Sequence, residues 1–297
     1  MNQYATSQFC VIIPTYNRGL IALDTVKALE LQSVDGFKVL VVDQSDAIPD
    51  DLLGYQSNHF GYRFIHLDSP GLPNARNVGV DHADTEFVIY LDDDCIPDPG
   101  LIAAFRRIFS TCDAKIALVG GRVIEEGSII FRERSNLSGG IVTRYGKTLK
   151  NFDTDRPGIC EWAPGGNFCV RTEAYREVGG FDVNFIGTAV MEDADFGYAI
   201  RACGYQVLYS PEPVMQHLRI ATGGLRQSNP ARGMIYRAHN SVYFFRKHQR
   251  KRYLPLVKVY LLAVTLKEWL KGTHGISAFY YCSVGFIKGL RTHLRSG

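Results

Sequence analysis

Short apolar runs alternate with segments of helical spacing through the first third of the chain. The apolar runs predict buried strands over residues 9–14, 37–42, 62–67 and 87–91. Helices are predicted between them over 19–32 and 72–82. This alternation predicts an α/β fold with a mostly parallel, Rossmann-like sheet flanked by helices. Ligands of such sheets bind beyond the carboxyl ends of the strands, where polar residues interrupt this sequence.

The second half of the chain has a less regular pattern. Residues 121–160 are weakly periodic and rich in Gly, Arg and Ser, so we expect a loop-rich insertion there. Helical spacing returns later, and it predicts helices over 172–179, 191–203 and 231–248.

Two apolar segments close the chain, Leu254 to Leu270 and Gly275 to Ile287. In the first, Lys251, Lys258 and Thr265 recur at a constant spacing and mark a narrow polar stripe on a predicted helix. The second carries no charge but is too short to span a bilayer alone. Three interpretations stay open: a pair of helices packed on the preceding domain, an amphipathic attachment to a membrane surface, or a spanning helix, which the sequence favours least.

Composition narrows the class of protein. Of the 297 residues, 46% are apolar and 21% charged, which is ordinary globular usage. The formal net charge of +3 is too small to indicate nucleic acid as a partner. The 7 cysteines form no CxxC pair, which argues against a zinc site and suits a reducing compartment. The polar start of the chain lacks the features of a signal peptide, so we expect a cytoplasmic location.

Three adjacent carboxylates, Asp92, Asp93 and Asp94, follow the predicted strand 87–91. Because alternate residues of an extended chain point the same way, Asp92 and Asp94 can converge on one site while Asp93 faces elsewhere. Paired carboxylates at a strand end suit a hard divalent cation, Mg²⁺ or Mn²⁺. The alternative is a solvated acidic turn, although three neighbouring acids repel one another.

Five ordered motifs carry a resemblance to a known family. They are Pro14-Thr15-Tyr16-Asn17-Arg18, Val41-Val42-Asp43, the segment 71–79, Asp92-Asp93-Asp94 and Glu192-Asp193. In this order they resemble the family 2 glycosyltransferases of the GT-A fold, over roughly residues 8–205. The resemblance implies a GT-A catalytic domain over 1–215, with a nucleotide-sugar half over about 8–120 and an acceptor half over 121–215. Residues 216–297 would form a C-terminal helical extension.

The resemblance implies a nucleotide-sugar site at the strand ends. In the family, the end of the first strand packs on the base, and an aspartate after the second strand reads the base or ribose. Gln44 stands where the family often has a second Asp, so a UDP-, dTDP- or GDP-linked sugar is left open. Arg76 would fix the base-reading aspartate or contact the nucleotide. The implied binding residues are Pro14, Thr15, Tyr16, Asn17, Arg18, Asp43, Arg76, Asn77, Asp92 and Asp93.

The resemblance also implies the sugar pocket and the catalytic base. The segment 162–167 is similar to the family segment that lines the donor sugar and the acceptor, which implicates Trp162, Gly165 and Gly166. In inverting members the second acid of the Glu192-Asp193 pair is the base, so Asp193 is predicted to be catalytic and Glu192 to contact the acceptor. Acids at a helix start are also favoured by the helix dipole alone.

A late histidine is the last implied site residue. In many GT-A enzymes such a histidine completes the metal shell, so His217 is predicted to join Asp92 and Asp94. A purely structural histidine is the alternative, since His217 lies between the apolar Met215 and Leu218.

The implied function is inverting transfer of a hexosyl or deoxyhexosyl group from a nucleoside-diphosphate sugar. The acceptor would be a hydroxyl of a saccharide or lipid-linked saccharide in cell-surface polysaccharide synthesis. The basic and aromatic segment 232–252 suits the cytoplasmic face of an inner membrane. A sugar-phosphate nucleotidyltransferase is one alternative, but the loop 14–18 lacks the glycines that such enzymes place after the first strand. A non-catalytic nucleotide-sugar-binding protein is the other, and it would have lost the acids that are present here.

Overall fold

A nine-stranded sheet forms the centre of the fold in the computed structural model, which describes residues 8–125, 137–220, 222–224 and 229–295. The polar start of the chain, residues 1–7, and the part 126–136 of the expected insertion lie outside the described residues. The strands are β1 (Phe9–Thr15), β2 (Lys38–Asp43), β3 (Gly61–His66), β4 (Phe87–Leu91), β5 (Cys95–Pro97), β6 (Ile116–Glu125), β7 (Gly139–Val142), β8 (Thr148–Asn151), β9 (Gly158–Cys160), β10 (Asn167–Arg171) and β11 (Gln206–His217).

Helices cover the sheet and then close the chain. They are α1 (Gly19–Ala28), α2 (Asp50–Leu53), α3 (Leu72–Asp81), α4 (Leu101–Thr111), α5 (Thr172–Glu177), α6 (Glu192–Ala202), α7 (Pro230–Lys247), α8 (Leu254–Leu270) and α9 (Ser277–Arg291). Short 3-10 helices at Leu29–Leu31 and Lys251–Tyr253 extend α1 and precede α8. Every helix expected from the apolar spacing is present, with bounds shifted by a few residues at most.

The sheet is parallel where the sequence alternates most regularly. The strand order is β3-β2-β1-β4-β10-β6-β11-β5, and β9 pairs with β11. Strands β3, β2, β1 and β4 pair in parallel, whereas β10 runs antiparallel to both of its neighbours, β4 and β6. The predicted α/β class and the C-terminal helices are confirmed, and the antiparallel strands make the second half of the sheet mixed.

The expected loop-rich insertion over 121–160 holds more strand than loop among its described residues. It contains the end of β6, the hairpin formed by β7 and β8, and β9. Each strand of the hairpin has only four residues, and glycine occupies two positions of β7. A run so short does not develop a readable two-residue period, which explains why the sequence indicated loops.

Helices α7 and α9 pack side by side with almost no space between their backbones. A Cβ atom on Gly289 would lie 2.6 Å from the carbonyl oxygen of His239, and one on Gly285 would overlap the backbone of Ile235. Arg246 adds hydrogen bonds from Nη1 to the carbonyl oxygens of Gly289 and Thr292, at 2.6 and 2.8 Å. The two helices therefore behave as one unit.

A buried charge network joins this helical unit to α6 and to the loop before it. The Nζ atom of Lys247 lies 2.8 Å from a carboxylate oxygen of Asp182 and 2.8 Å from one of Asp195. His248 Nε2 lies 2.7 Å from the other oxygen of Asp195. Burial alone would raise the pKa of Asp182, but the Lys247 ammonium holds it below its usual value. Helix α7 is thus bonded to the helix that carries Glu192 and Asp193.

Helix α8 buries one residue of the stripe that was expected to be polar. Thr265 is fully buried together with Val257 and Leu261, and its hydroxyl donates a hydrogen bond to the Leu261 carbonyl oxygen at 2.8 Å. Apolar Val259 and Leu270 are instead 65% and 72% exposed. The expected polar stripe at Lys251, Lys258 and Thr265 is therefore wrong at Thr265, because a threonine hydroxyl can bond within its own helix and leave its methyl group to pack. Among the described residues, no helix has the length and apolar character needed to cross a bilayer.

Replacing Lys247 by Met should destabilise the protein by about 3 kcal/mol, because two buried carboxylates would lose their cation. Urea unfolding at neutral pH measures the effect. Lys271→Met is the matched control, since Lys271 is exposed and its contact with Glu268 spans 3.9 Å. That control should change stability by less than about 1 kcal/mol. Equal effects of the two variants would contradict a structural role for the network.

Candidate functional site

Polar side chains gather at the carboxyl ends of β1, β2 and β4. Because these strands are parallel neighbours, Thr15 pairs with Asp43 in register, and Asp92 follows directly after β4. The edge lies where a doubly wound sheet binds its ligands. The parallel strand order therefore brings these residues to the sheet edge where the sequence predicted the site.

Asp92, Asp94 and His217 bring three potential metal ligands together. One oxygen of each carboxylate and one imidazole nitrogen all lie within 4.8 Å of one another. The pairing of β11 with β5 aligns His217 with Cys95, next to Asp94. His217 Nε2 lies 3.0 Å from Asp94 Oδ1, and this bond holds the pKa of Asp94 below its usual value although burial would raise it. Two carboxylates and an imidazole suit Mg²⁺ or Mn²⁺.

Asp93 is not part of this group of potential ligands and secures the strand end instead. It accepts hydrogen bonds from Thr15 Oγ1 and Arg18 Nη1, both at 2.8 Å. Arg18 also donates to the carbonyl oxygens of Ile220 and Thr222 at 2.7 and 2.8 Å. Burial raises the pKa of Asp93 to about 6 against the charge of Arg18. Arg18 therefore ties the loop after β1 to the chain beyond β11.

A cavity of about 340 Å³, here called the strand-end cavity, opens beside the triad. Of the ten residues predicted to bind the nucleotide-sugar, six line it: Pro14, Thr15, Tyr16, Arg18, Asp92 and Asp93. Gln44, which the sequence had marked only as a departure from the family pattern, lines it as well. Asn17, which is exposed, and Asp43, which is buried, do not line it. Asp43 bonds to Ser45 Oγ and His66 Nδ1 at 2.6 and 2.8 Å, and the Asn17 amide bonds to Asp46.

Arg76 is buried behind the loop 164–166 and does not reach Asp43. Its Nη1 forms an ion pair with Glu192, and its Nη2 donates to the Gly165 carbonyl oxygen at 2.9 Å. Burial alone would lower the pKa of Arg76, but the carboxylates of Glu192 and Asp92 raise it above its usual value. The guanidinium is therefore a permanent positive charge under the site.

Asn77 serves the packing of α3 rather than the cavity. Its Nδ2 donates to the Phe181 carbonyl oxygen at 2.9 Å, and its Oδ1 accepts from the Phe181 amide at 2.8 Å and from the Tyr175 hydroxyl. These bonds hold the turn 179–181 against the helix. The nucleotide role predicted for Asn77 has no contact to support it here.

Gly166 lets Asp92 approach the backbone. A Cβ atom on Gly166 would overlap the Asp92 carboxylate, and one on Gly165 would lie 2.9 Å from Arg76 Nη2. Adjacent glycines allow this close approach at no steric cost. Trp162, from the same predicted segment, is buried and lines two cavities described next.

Asp193 is the second residue of α6 and is half-buried. Its Oδ1 accepts the amide of Ala194 at 2.8 Å. Burial raises the pKa of Asp193, and the charge of Lys150 acts against that rise. Glu192 is buried, with Oε1 on Arg76 and no hydrogen-bond partner for Oε2 among the described residues.

Three cavities meet end to end around these residues. A middle cavity of about 810 Å³ shares Asp92 and His217 with the strand-end cavity. A third cavity of about 320 Å³, the helix cavity, shares Lys150, Trp162 and Asp193 with the middle one. A path through the middle cavity therefore connects the metal triad to Asp193.

Residues from distant segments complete the helix cavity, and the sequence did not single most of them out. Lys150 comes from β8, Thr188 from the loop before α6, and Tyr260 from α8. Arg237 lies within the basic segment 232–252, to which the sequence assigned no role in the site. Only the folded arrangement brings them together, since no motif or spacing links them.

Solved structures with this fold are glycosyltransferases of the GT-A class. One is GalNAc-T7 with UDP, GalNAc and Mn²⁺ (TM-score 0.62, 17% identity, 82% of this chain and 48% of that chain). Another is the mannosyltransferase PcManGT of Pyrobaculum calidifontis with GDP-Man and Mn²⁺ (TM-score 0.57, 16% identity, 97% of this chain and 87% of that chain). At such identities the likeness shows the fold alone, which is the GT-A fold.

The chain belongs to glycosyl transferase family 2, whose model matches residues 10–179. A curated relative is the pre-mycofactocin glycosyltransferase of Mycobacterium tuberculosis (strain ATCC 25618 / H37Rv), 28% identical over 217 residues. The alignment covers 70% of this chain and 42% of the relative, so the chain spans less than half of that protein.

Replacing Gly166 by Ala should displace the Asp92 carboxylate and weaken Mn²⁺-dependent binding of a nucleoside diphosphate by about ten-fold, the equivalent of about 1.4 kcal/mol. Calorimetric titration with and without Mn²⁺ measures this. Gly233→Ala is the matched control, because a Cβ atom there meets nothing within 4 Å. Unchanged Mn²⁺-dependent affinity in the Gly166 variant would rule out the close approach as a requirement of the site.

Proposed function

We propose that the protein is an inverting, metal-dependent glycosyltransferase. It moves a hexosyl or deoxyhexosyl group from a nucleoside-diphosphate sugar to a hydroxyl of a saccharide or lipid-linked saccharide. The observation that carries the proposal is the continuous path from the triad of Asp92, Asp94 and His217 to the half-buried Asp193. Membership of glycosyl transferase family 2 supports the reaction class.

The donor occupies the strand-end cavity in this proposal. Pro14 and Tyr16 offer flat surfaces to a nucleotide base, and Gln44 offers an amide that can donate and accept hydrogen bonds. The diphosphate faces Asp92, Asp94 and His217, which would hold Mg²⁺ or Mn²⁺. The bound cation would neutralise charge on the diphosphate leaving group. Two structurally similar glycosyltransferases were crystallised with a nucleotide or nucleotide-sugar and Mn²⁺, which supports this assignment.

The acceptor approaches from the helix cavity and meets Asp193. Asp193 removes the proton of the acceptor hydroxyl as its oxygen forms the new bond to the sugar carbon, while the bond to the diphosphate breaks on the opposite face. Glu192 and Trp162 both line this cavity and are positioned to contact the acceptor saccharide. A general base of this kind contributes roughly 10²–10⁴-fold to the rate.

Replacing Asp193 by Asn should retain donor binding and reduce transfer by roughly 10²–10⁴-fold, because only the proton acceptor is lost. The measurement is acceptor-dependent release of nucleoside diphosphate from UDP-, GDP- and dTDP-sugars, together with donor affinity. Asp94→Ala should instead weaken the Mn²⁺-dependent donor affinity, because it removes a metal ligand.

Asp24→Asn is the matched control for both variants, since Asp24 is exposed on α1. It should leave turnover and donor affinity unchanged. Near wild-type turnover of the Asp193 variant would sink the assignment of the base. Formation of a nucleotide-sugar from a nucleoside triphosphate and a sugar phosphate would identify a nucleotidyltransferase instead.

We also propose that α8 and α9 rest on the cytoplasmic surface of an anionic membrane, where a lipid-linked acceptor would be reached. These helices and the turn between them expose large apolar side chains, each more than one third accessible to solvent. They are Leu256, Val259, Leu262, Leu266, Trp269, Leu270, Ile276, Tyr280, Ile287 and Leu290. An exposed apolar face of this extent marks an interaction surface.

The charge around this apolar face favours anionic lipid over a second protein. Residues 250–295 contain one acid, Glu268, against nine lysines and arginines. Basic residues at the edge of an apolar helical face are attracted to anionic headgroups while the apolar side chains enter the interface. The proposed location is therefore peripheral, at the surface rather than across the bilayer.

The triple variant Val259→Ser, Leu270→Ser, Ile276→Ser should reduce co-sedimentation with phosphatidylglycerol vesicles by about ten-fold or more, because three apolar side chains would no longer enter the interface. Vesicles of phosphatidylcholine alone should retain little protein. The control is Leu20→Ser, Leu31→Ser, Val183→Ser, whose side chains are similarly exposed outside α8 and α9. Equal loss of binding in the control, or no binding of the wild type, would refute a membrane role for this face.

A further inference from the structure

The helix cavity is lined by segments that lie far apart in the second half of the chain. Lys150 and Trp162 form the side towards the middle cavity, and Arg237 and Tyr260 come from α7 and α8. The ring of Tyr145, at the tip of the hairpin formed by β7 and β8, lies 5.3 Å from the ring of Tyr260, centroid to centroid. The C-terminal helices thus build part of the wall that a ligand beside Asp193 would touch.

Two cations of this cavity stand apart from the other cations near the site. Arg18, Arg76 and Arg250 are held by protein oxygens. Lys150 and Arg237 have no carboxylate within ion-pair distance among the residues that the structure describes, and both are exposed. A lone surface cation is ordinary, but two from different elements that border one 320 Å³ cavity are positioned for a shared ligand.

We infer that the helix cavity binds an anionic group, a phosphate or carboxylate carried by the acceptor saccharide, through Arg237 and Lys150. This inference rests on the proposed function, and it adds the chemical class of the acceptor. The guanidinium of Arg237 offers a planar pair of donors to such a group, and the ammonium of Lys150 adds a second charge. Glu192 and Asp193 face the same cavity.

The arrangement of charge fits an acceptor with two distinct ends. Asp193 must meet a neutral hydroxyl, since it would repel an anion, and the charge of Glu192 is offset by Arg76. The anionic end therefore belongs nearer to Arg237, which borders the cavity from α7 next to Tyr260 of α8. The charge of Lys150, which also acts on Asp193, offsets the repulsion between the anion and these carboxylates. Tyr260 and Trp162 provide aromatic surfaces for the saccharide ring between the two ends.

The test compares three sugars that differ in one group: glucose, glucose-6-phosphate and glucuronic acid. Each is titrated calorimetrically into the full chain with Mn²⁺ and saturating nucleoside diphosphate, so that the strand-end cavity is filled beforehand. At least one anionic sugar should bind about ten-fold more tightly than glucose, as for charge-assisted hydrogen bonds. The phosphate and carboxylate arms identify which anion the cavity prefers.

Arg237→Gln and Lys150→Gln should each reduce this preference several-fold, and the double variant should abolish it. Arg232→Gln and Lys147→Gln are the matched controls, because they lie on α7 and in the hairpin turn but outside the cavity lining. Both controls should keep the wild-type preference. Raising the salt concentration should lower the preference in the wild type but not in the double variant.

Equal affinity of the wild type for all three sugars, or no detectable binding of either anionic sugar at millimolar concentration, overturns the inference. A preference that survives in the double variant overturns it as well. These binding results are independent of turnover. If the anion preference is found but Asp193→Asn transfers normally, the proposed mechanism fails and the anion site stands; if Asp193→Asn is inactive but all sugars bind alike, the reverse holds.

Discussion

The buried guanidinium of Arg76 is the interaction on which the rest of the site depends. It lies under the faces of Phe181 and Tyr90, 4.9 and 5.7 Å from the ring centroids, and it bonds to Glu192 and to the Gly165 backbone. One side chain from α3 thus fixes the start of α6 and the loop that passes Asp92. Loss of Arg76 would leave the buried carboxylate of Glu192 without a counter-charge, which is strongly unfavourable. The contact between α3 and α6 is therefore held firmly in place.

The contacts of Arg76 explain how Asp92 and Asp193, far apart in sequence, are held at fixed positions in one site. Asp92 is positioned from one side by Gly166, whose neighbour Gly165 is held by Arg76. Asp193 follows Glu192, which Arg76 also holds. Arg76 therefore helps to position both ends of the path between the triad and Asp193, although the two ends lie on different elements of the fold.

The sequence predicted the parts of the site that one segment can define and missed those that several segments share. Strand β4 follows from its apolar run, and α3 and α8 follow from helical spacing. Asp92 and Asp94 do come together, but through the turn that follows β4 rather than through an extended strand. The contact of Asn77 with Phe181 was not predicted, because a motif cannot show which side of α3 packs against Phe181. Strand β10 was missed because five residues between two antiparallel neighbours give little periodicity. Lys150 and Arg237 carry no motif, and only tertiary packing places them on one cavity.

The tight backbone contact of α7 with α9 has a consequence for how the protein can diverge. Because Gly285 and Gly289 admit no side chain, the helices can change their outer surfaces but not their mutual position. Arg237 and Tyr260 lie on walls of the helix cavity, away from the triad at the strand ends. Substitutions on α7 and α8 can therefore remodel one end of the path without disturbing the other. The fold can therefore accommodate a change at the helix cavity while the residues at the strand ends stay the same.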